Sequence, residues 1–581
     1  MSYFDDASLA FLPSGAAGKD GKAYSIKPED GTGDFTFTRG SNLAATRVGA
    51  DGLIEKGREN LLLQSNQFDT SWIKAASLTL TSGQSGYNGT NDAWKLESNG
   101  ASGYDVVYQT VSISGVNTYS IYAKAGTNTN FALRSLSNVD ARANFDLSAG
   151  SVSISGTIDA SIVSVGGDWY RCSLTFSGSN NAVYVYPNSL GAASAGYIYI
   201  QSAQLEQSLV STEYIETTTT TGTAGILEDT PRFNYSFGAS CPSLLLEPSR
   251  TNLVPSEYFG AVYTLSDTAI INNNTTSPEG LQNATKIYPT ASGNYKHIRY
   301  SSLNPSTGVH TFSIFAKAGE LDHLVLIDSD GGGVGVDFDL STGVASDSAS
   351  VAFDFVDMVD YGNGWYRCVA TATNPRFVWI LSDNGGVSVT ANGTDGLYIY
   401  GAQAELASYP TSYIPNNSGG TITRAAEVCG GAGDANTFNS TEGVLYAEIS
   451  ALADDGTNRR ISLNDGSDTN RINLMFTSTS NEVVCNYKVS GTTQVSLSNV
   501  LSDVADTFKI AFKYLSGDFA LFVNGVKVDT DSNTTMITAN TLDNLDFLDG
   551  AGLNNFYGNV KQVLTFNTAL TDSELATLTT L

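Results

Sequence analysis

The chain predicts an all-β protein: two tandem copies of a jelly-roll sandwich followed by a third β domain. Three observations carry this expectation. The first is composition. Of 581 residues only 15% are charged, while 41% are apolar and 10% aromatic. A usual chain has ~25% charged residues, so the polar surface here is mostly hydroxyl and amide, and the apolar fraction is too high for a disordered acidic tail. The second is an internal repeat, spaced by roughly 195 residues, too long for a solenoid unit. The third is hydrophobic alternation with a period of two and Gly- and Asn-rich turns, without long 3.6-period stretches in either copy. The length alone corresponds to roughly four domains of about 150 residues.

The repeat is read from five ordered matches. Tyr119-Ser-Ile-Tyr-Ala-Lys-Ala-Gly126 returns as Phe312-Ser-Ile-Phe-Ala-Lys-Ala-Gly319. Phe145-Asp-Leu-Ser148 returns as Phe338-Asp-Leu-Ser341, and Trp169-Tyr-Arg-Cys172 as Trp365-Tyr-Arg-Cys368. Ala203-Gln204-x-Glu206 and Thr212-x-Tyr214-Ile215 return as Ala402-Gln403-x-Glu405 and Thr411-x-Tyr413-Ile414. A short opening motif, Arg58-Glu-Asn60-Leu61 or Arg250-Thr-Asn252-Leu253, begins each copy.

Taken in chain order, residues 1–57 form an N-terminal segment and 58–216 the first module. Within it Tyr119, Ile121 and Ala123 alternate with Ser120, Tyr122 and Lys124, as in a half-buried strand. Residues 217–249 begin with the threonine run Thr217 to Thr221 and read as an extended connector. The second module spans 250–415, and the Asn- and Gly-rich start of 416–436 reads as a flexible linker. In 437–581, Asn524-Gly525 between Phe519–Val523 and Val526–Val528 predicts a tight hairpin. Thr571 with Glu574 predicts a capping box and a short terminal helix.

Charge narrows the function. With 30 Lys plus Arg against 58 Asp plus Glu, the net charge of −28 excludes the basic footprint of a nucleic-acid binder. Five cysteines without C-x-x-C spacing indicate neither a zinc ribbon nor a disulfide scaffold. The start lacks the charged and apolar regions of a signal peptide. Aliphatic runs such as Leu61-Leu62-Leu63 are far short of the ~20 residues of a membrane helix, so no membrane insertion is expected.

Catalytic patterns are weak, and no enzyme is expected. His297, His310 and His323 fall only in the second module, with no Ser or Cys in a nucleophile context. The segment Gly15 to Lys22 fails the phosphate-loop spacing because Lys22 is followed by Ala23. Glycoside hydrolysis needs a carboxylate pair that sequence cannot locate. No cofactor is required, and calcium is the one candidate ion: Asp328 and Asp330 flank a Gly-rich turn as hard cations prefer. A tight Asp-Gly turn is the plainer reading there and at Asn464 to Asp468. For sugar binding by exposed aromatic faces, Trp72, Trp94 and Trp379 are the candidates, because the repeated Trp169 and Trp365 sit in strand patterns that fit core packing.

At this point the motifs become familiar. Thr38-Arg39-Gly-Ser41 through Arg47-Val48 and Asp51-Gly-Leu-Ile54 resembles the N-terminal signature of many bacteriophage virion proteins. Pro231-Arg-Phe-Asn-Tyr235 through Leu244-Leu-Leu-Glu-Pro248 is similar to the segment that follows that signature. The duplicated modules resemble carbohydrate-binding jelly rolls of phage fibres and decoration proteins. Asp518 to Gly525, Phe556-Tyr-Gly-Asn559 and Leu570 to Glu574 resemble a laminin-G/concanavalin-A-like domain. One departure stands out: the first module lies between the N-terminal signature and the Pro-Arg-Phe segment, as if inserted after Asn60.

The resemblance implies a bacteriophage virion appendage, whether head fibre, decoration protein or tail fibre. It would be made in the host cytoplasm, released by lysis, and located on the virion surface. Residues 1–57 would dock on other virion proteins, and the sandwiches would bind cell-surface glycans, with two weak sites gaining avidity. A homo-oligomer, commonly a trimer in such fibres, is implied although no heptad supports it. The alternatives are a polysaccharide depolymerase tailspike and a purely structural capsid-decorating protein.

Overall fold

The structure is a computed structural model that describes residues 3–14, 18–19, 21–40, 43–137, 140–236, 238–300, 307–328, 335–347, 353–375 and 377–580. It is all-β, and its strands build two matching sandwiches and a third, different one.

Each repeat folds into two six-stranded antiparallel sheets. In the first module one sheet runs Asp159–Gly166, Trp169–Ser177, Val116–Ala125, Ala195–Glu206, Ala93–Asn99, Leu78–Gln84. The facing sheet runs Ser151–Ser155, Asp140–Asp146, Asn130–Ser137, Asn180–Tyr186, Val107–Ile113, Ile73–Lys74. The second module repeats both orders strand for strand. Between the sheets lies a core of alternating inward residues, including Ile121, Leu133, Phe145 and Leu174 in one copy and Ile314, Leu326, Phe338 and Ala370 in the other.

The central strand departs from the half-buried expectation. Val116 to Ala123 is buried on both faces, as is His310 to Ala316. The cause is the chain itself, which returns across the outer face after the last strand. Thr118 Oγ1 donates to the Ser208 carbonyl at 2.8 Å and Thr311 Oγ1 to the Ala407 carbonyl at 2.9 Å. Trp169 packs outward under this return with Tyr87, Tyr122 and Tyr214, and Trp365 with Phe315, Tyr400 and Tyr413. Both tryptophans are therefore packing residues, as expected.

The third sandwich recruits distant segments. Its larger sheet joins Arg232–Asn234, Ser243–Leu246, Gly558–Phe566, Glu442–Ala451, Phe508–Leu515, Phe519–Val523 and Val526–Asp531, and Leu9–Phe11 also pairs with Gly558–Phe566. Its five-stranded partner sheet contains Thr492–Val500, Glu482–Val489, Arg471–Phe476, Arg459–Asn464 and Asn544–Asp546. Phe35–Thr38 pairs with Val428–Gly430, and Leu9, Phe11, Phe35, Phe37, Leu244 and Leu246 all enter the one core. Residues 1–57 are thus not a separate arm, and 217–249 and 416–436 are not free linkers. Asn416, read as flexible, is buried and donates to the carbonyls of Val254 and Gly420.

Two short strand pairs gate the repeated modules. Arg58–Asn60 pairs with Gly222–Ala224 where the chain enters and leaves the first, and Arg250–Asn252 pairs with Ile422–Arg424 for the second. The N-terminal signature and the Pro-Arg-Phe segment consequently meet in space: the Arg39 backbone N–H donates to Asp229 at 2.6 Å and its guanidinium to the Thr230 carbonyl at 3.0 Å.

Candidate functional site

Three classes of polar cluster were candidates for chemistry, and burial sorts them. The densest sits where both gates meet the third sandwich. Arg232 forks onto Glu427 at 2.7 and 2.5 Å and reaches Glu247 at 2.7 Å, Arg39 bonds Glu427 at 3.0 Å, and Arg424 lies 2.8 Å from Glu247. None of these five side chains is more than 3% exposed. Burial alone would raise the Glu247 carboxyl, but Arg424 and Arg232 outweigh it and hold it down at about 2. A buried cluster of three arginines on two glutamates serves here to join distant segments of the chain.

The second cluster, Lys56 with Glu279 at 2.7 Å and Glu257 at 3.8 Å, ties the Thr46–Lys56 hairpin to the second module, and Lys56 and Glu279 also border an open cavity of about 580 Å³ with Arg47, Glu55, Arg58 and Glu213. Glu257 also accepts from the Tyr413 hydroxyl at 2.6 Å and from Asn417 at 2.7 Å. The histidines form no group: His297 Nδ1 faces the Tyr295 carbonyl, His310 the Gly308 carbonyl, and His323 the Asp337 carboxylate at 3.0 Å.

The three predicted sugar-stacking tryptophans are core residues. Trp72, Trp94 and Trp379 are 6%, 4% and 4% exposed. Trp72 lies against Phe68 and donates to the Gln64 carbonyl, Trp94 packs edge-on to Phe68 and donates to the Asn66 carbonyl, and Trp379 packs on Phe338. Strand parity explains the correction: Trp94 shares its face with Leu96, and Trp379 stands between the outward Val378 and Ile380. Of the calcium candidates, Asp328 ends the strand His323–Asp328, its side chain lying outside what is described, and Asp330 lies outside the described residues. Among the described residues no cluster of three or more potential metal ligands occurs. The Asn464 to Asp468 stretch is a hairpin turn, with Gly466 at φ 73° and Asp465 accepting from Ser467.

The third cluster is open. On the solvent face of the first module's Ile73-to-Ser155 sheet, residues in direct register form a row across its six strands: Ile73, Tyr108, Tyr184, Arg134, Arg142, Ser155. Tyr108 and Tyr184 stack with centroids 5.2 Å apart, and Tyr186, itself buried, lies 6.4 Å beyond Tyr184. Arg134 Nε donates to Asp140 at 2.7 Å and Arg142 to the other oxygen of the same carboxylate at 2.5 Å. The Arg134 bond, and after it that of Arg142, hold Asp140 below the usual carboxylate range. Two guanidiniums on one carboxylate leave this trio one positive charge over, and Asp146 stands further along the Arg142 strand on the same face. The Arg142 side chain is 42% exposed, Arg134 16%, and Asn144 stands one step along the strand pair.

Nothing in the sandwich requires this row, because the second copy lacks it. There Ile327 pairs with Val378 as Arg134 pairs with Tyr184, and Val325 pairs with Ile380 as Ala132 pairs with Tyr186. These four apolar residues are buried, with Val387 packed on them. The two copies have matching cores and covering straps but differ on this face, so among the described residues the row occurs in the first copy alone. Sequence reading missed it because it sought features the copies share or single large aromatics. The available signal was the opposite one, the outward positions at which matched strands differ in polarity.

No family model matches the chain, and no curated protein matches it in sequence. Among solved structures, the Ruminococcus gnavus IT-sialidase CBM40 bound to α2,3-sialyllactose matches at 17% identity over 26% of this chain and 87% of that one, with a TM-score of 0.23. Domain 4 of AbnA, a GH43 extracellular arabinanase from Geobacillus stearothermophilus in complex with arabinotriose, matches at 12% over 28% and 77%, TM-score 0.20. A heptameric SAP-like pentraxin from Limulus polyphemus matches at 13% over 24% and 70%, TM-score 0.21. Likeness of this degree carries no argument about ligand or activity.

Proposed function

We propose that this protein is a non-enzymatic glycan-binding appendage of a bacteriophage particle, with the first sandwich as its binding module. The observation that carries the binding part is the open Tyr108–Tyr184–Arg134–Arg142 row. Stacked phenol rings offer apolar faces to sugar rings, while guanidinium, carboxylate and amide groups beside them meet hydroxyls. Three strand spacings of ~4.8 Å give the row about 14 Å, room for a short oligosaccharide. The Glu247 and Glu427 carboxylates are enclosed and held by arginines, which supports binding over hydrolysis at that cluster. The particle part rests on the resemblance of residues 38–54 to virion proteins. Attachment would use the formed surface of the third sandwich, into which residues 9–38 are woven.

The test is incubation of the purified full chain with bacterial surface polysaccharide, followed by sedimentation and polymer sizing. We expect retention without shortening, and at least a tenfold loss of retention for Tyr184→Ala at unchanged melting temperature. Shortened polymer would establish a depolymerase instead. Retention indifferent to Tyr184→Ala would move the site off this face, and no retention of any polymer would leave the structural decoration reading.

A further inference from the structure

We infer that the row selects acidic glycans, taking the carboxylate of a sugar acid on Arg142 while the ring of a neighbouring residue lies on Tyr184 and Tyr108. This rests on the reading that the face binds glycan. A neutral sugar needs aromatic faces and amide or hydroxyl partners, and the chain, rich in Ser, Thr and Asn, has these in excess. It is poor in cations, with 30 against 58 acidic residues, yet two arginines occupy adjacent register positions on one solvent-facing sheet.

They are not there to stabilise the sheet. In the second copy Ile327 replaces Arg134, and Gly335 precedes Val336 where Arg142 precedes Ala143. The same six-stranded order forms regardless. Nor are they consumed by their own carboxylate. Asp140 binds one nitrogen of each by the contacts at 2.7 and 2.5 Å, which fixes the two planes and leaves one positive charge over. Arg134 is the more enclosed and is braced by Asp140 and the Tyr186 hydroxyl, which together keep it firmly protonated. Arg142 is the more open and holds the position nearest solvent.

A guanidinium is a planar fork matched to a carboxylate, and less strongly hydrated than an ammonium, so it suits recognition of a carboxylate on a surface. Its place in one register line with the tyrosines sets the ligand's orientation, with the acid over the Asp140–Asp146 strand and the following rings toward Val107–Ile113. Uronic acids and the sialic-type acids share this carboxylate chemistry.

The experiment measures full-chain affinity for polygalacturonate, for polysialic acid, for carboxyl-reduced polygalacturonate and for dextran sulfate. We expect binding to one or both carboxylated polymers, at least tenfold weaker binding to the reduced polymer, and weakening with added salt. Arg142→Gln should remove that tenfold preference and Arg142→Lys restore part of it, while Tyr184→Ala lowers binding to acidic and reduced polymers alike. Lys488→Gln, which removes a positive charge from the third sandwich, should change nothing. Which acid binds distinguishes a uronic from a sialic source. Equal binding of acidic and reduced polymer overturns the acidic selectivity and leaves the glycan reading standing. Equal binding of dextran sulfate with the same Arg142 dependence overturns the carboxylate assignment. Binding of none of the four overturns both readings.

Discussion

Asn60 and Asn252 hold the mouths of the two repeated sandwiches. Asn60 donates to the carbonyls of Ala203 and Ile215 and accepts from the N–H groups of Leu62 and Leu205. Asn252 does the same with Ala402, Ile414, Val254 and Ala404. Gln204 and Glu206, like Gln403 and Glu405, then hold the returning strap through Thr212 and Ile215 or Thr411 and Ile414. Asn60→Ala would leave four buried backbone groups unpaired and should cost about 3 kcal/mol in urea unfolding, with unchanged secondary structure by circular dichroism. Glu247 adds a pH dependence. Its carboxyl lies at about 2 in the fold against 4.5 for the ordinary group. A lowered value means a contribution fully present above the unfolded value and lost as pH falls toward 2, worth about 3 kcal/mol. Glu257, raised by burial, works in the opposite sense. Urea midpoints at pH 6 and pH 2.5 should therefore differ less in Glu247→Gln than in the natural chain. The recurrence of Ala-Gln-x-Glu was legible in the sequence, but the bracing role of Asn60 was not, because its partner backbone groups lie up to 155 residues away.

Local elements were the most readable part. The Asn524-Gly525 hairpin closes with both residues left-handed, at φ 46° and 85°. The box at Thr571 and Glu574 forms with both of its bonds, and Leu575 of the helix it starts, Asp572–Leu578, is buried. Gly525→Val forces a branched side chain into that conformation and should cost about 1–2 kcal/mol, read as a lowered thermal midpoint. What local pattern misjudged was exposure. Thr217 to Thr221 and Asn416 to Gly420 look like solvated connectors, yet Thr217 bonds Ser65 and Asn417 bonds Glu257. Polar composition reports an unsatisfied hydrogen-bonding capacity, and a partner chain segment can fill it as well as water can. The same limit hid the tyrosine–arginine row, which exists only once four strands are laid side by side.

At the scale of the molecule, the third sandwich is a scaffold assembled from three parts of the chain, and the two repeats are loops let out of it through paired-strand gates. The first module, with its own core and closed gate, should fold alone as residues 58–224 and give a cooperative melt and dispersed amide spectrum. Deleting residues 1–38 removes Leu9, Phe11, Phe35 and Phe37 from the scaffold core and should leave an aggregating chain in which that module still melts normally. The duplication and the matched motifs that mark it were legible from sequence. Closure around one core was not, since neither strand gate leaves a periodic signal of its own. The pairing of Leu9–Phe11 with Gly558–Phe566 also sets an order of events. During synthesis the early strand emerges with no partner and stays unpaired until Gly558–Phe566 has been made, while both repeats can already have folded. A ribosome that stops short releases a chain with sound modules and an unsealed base.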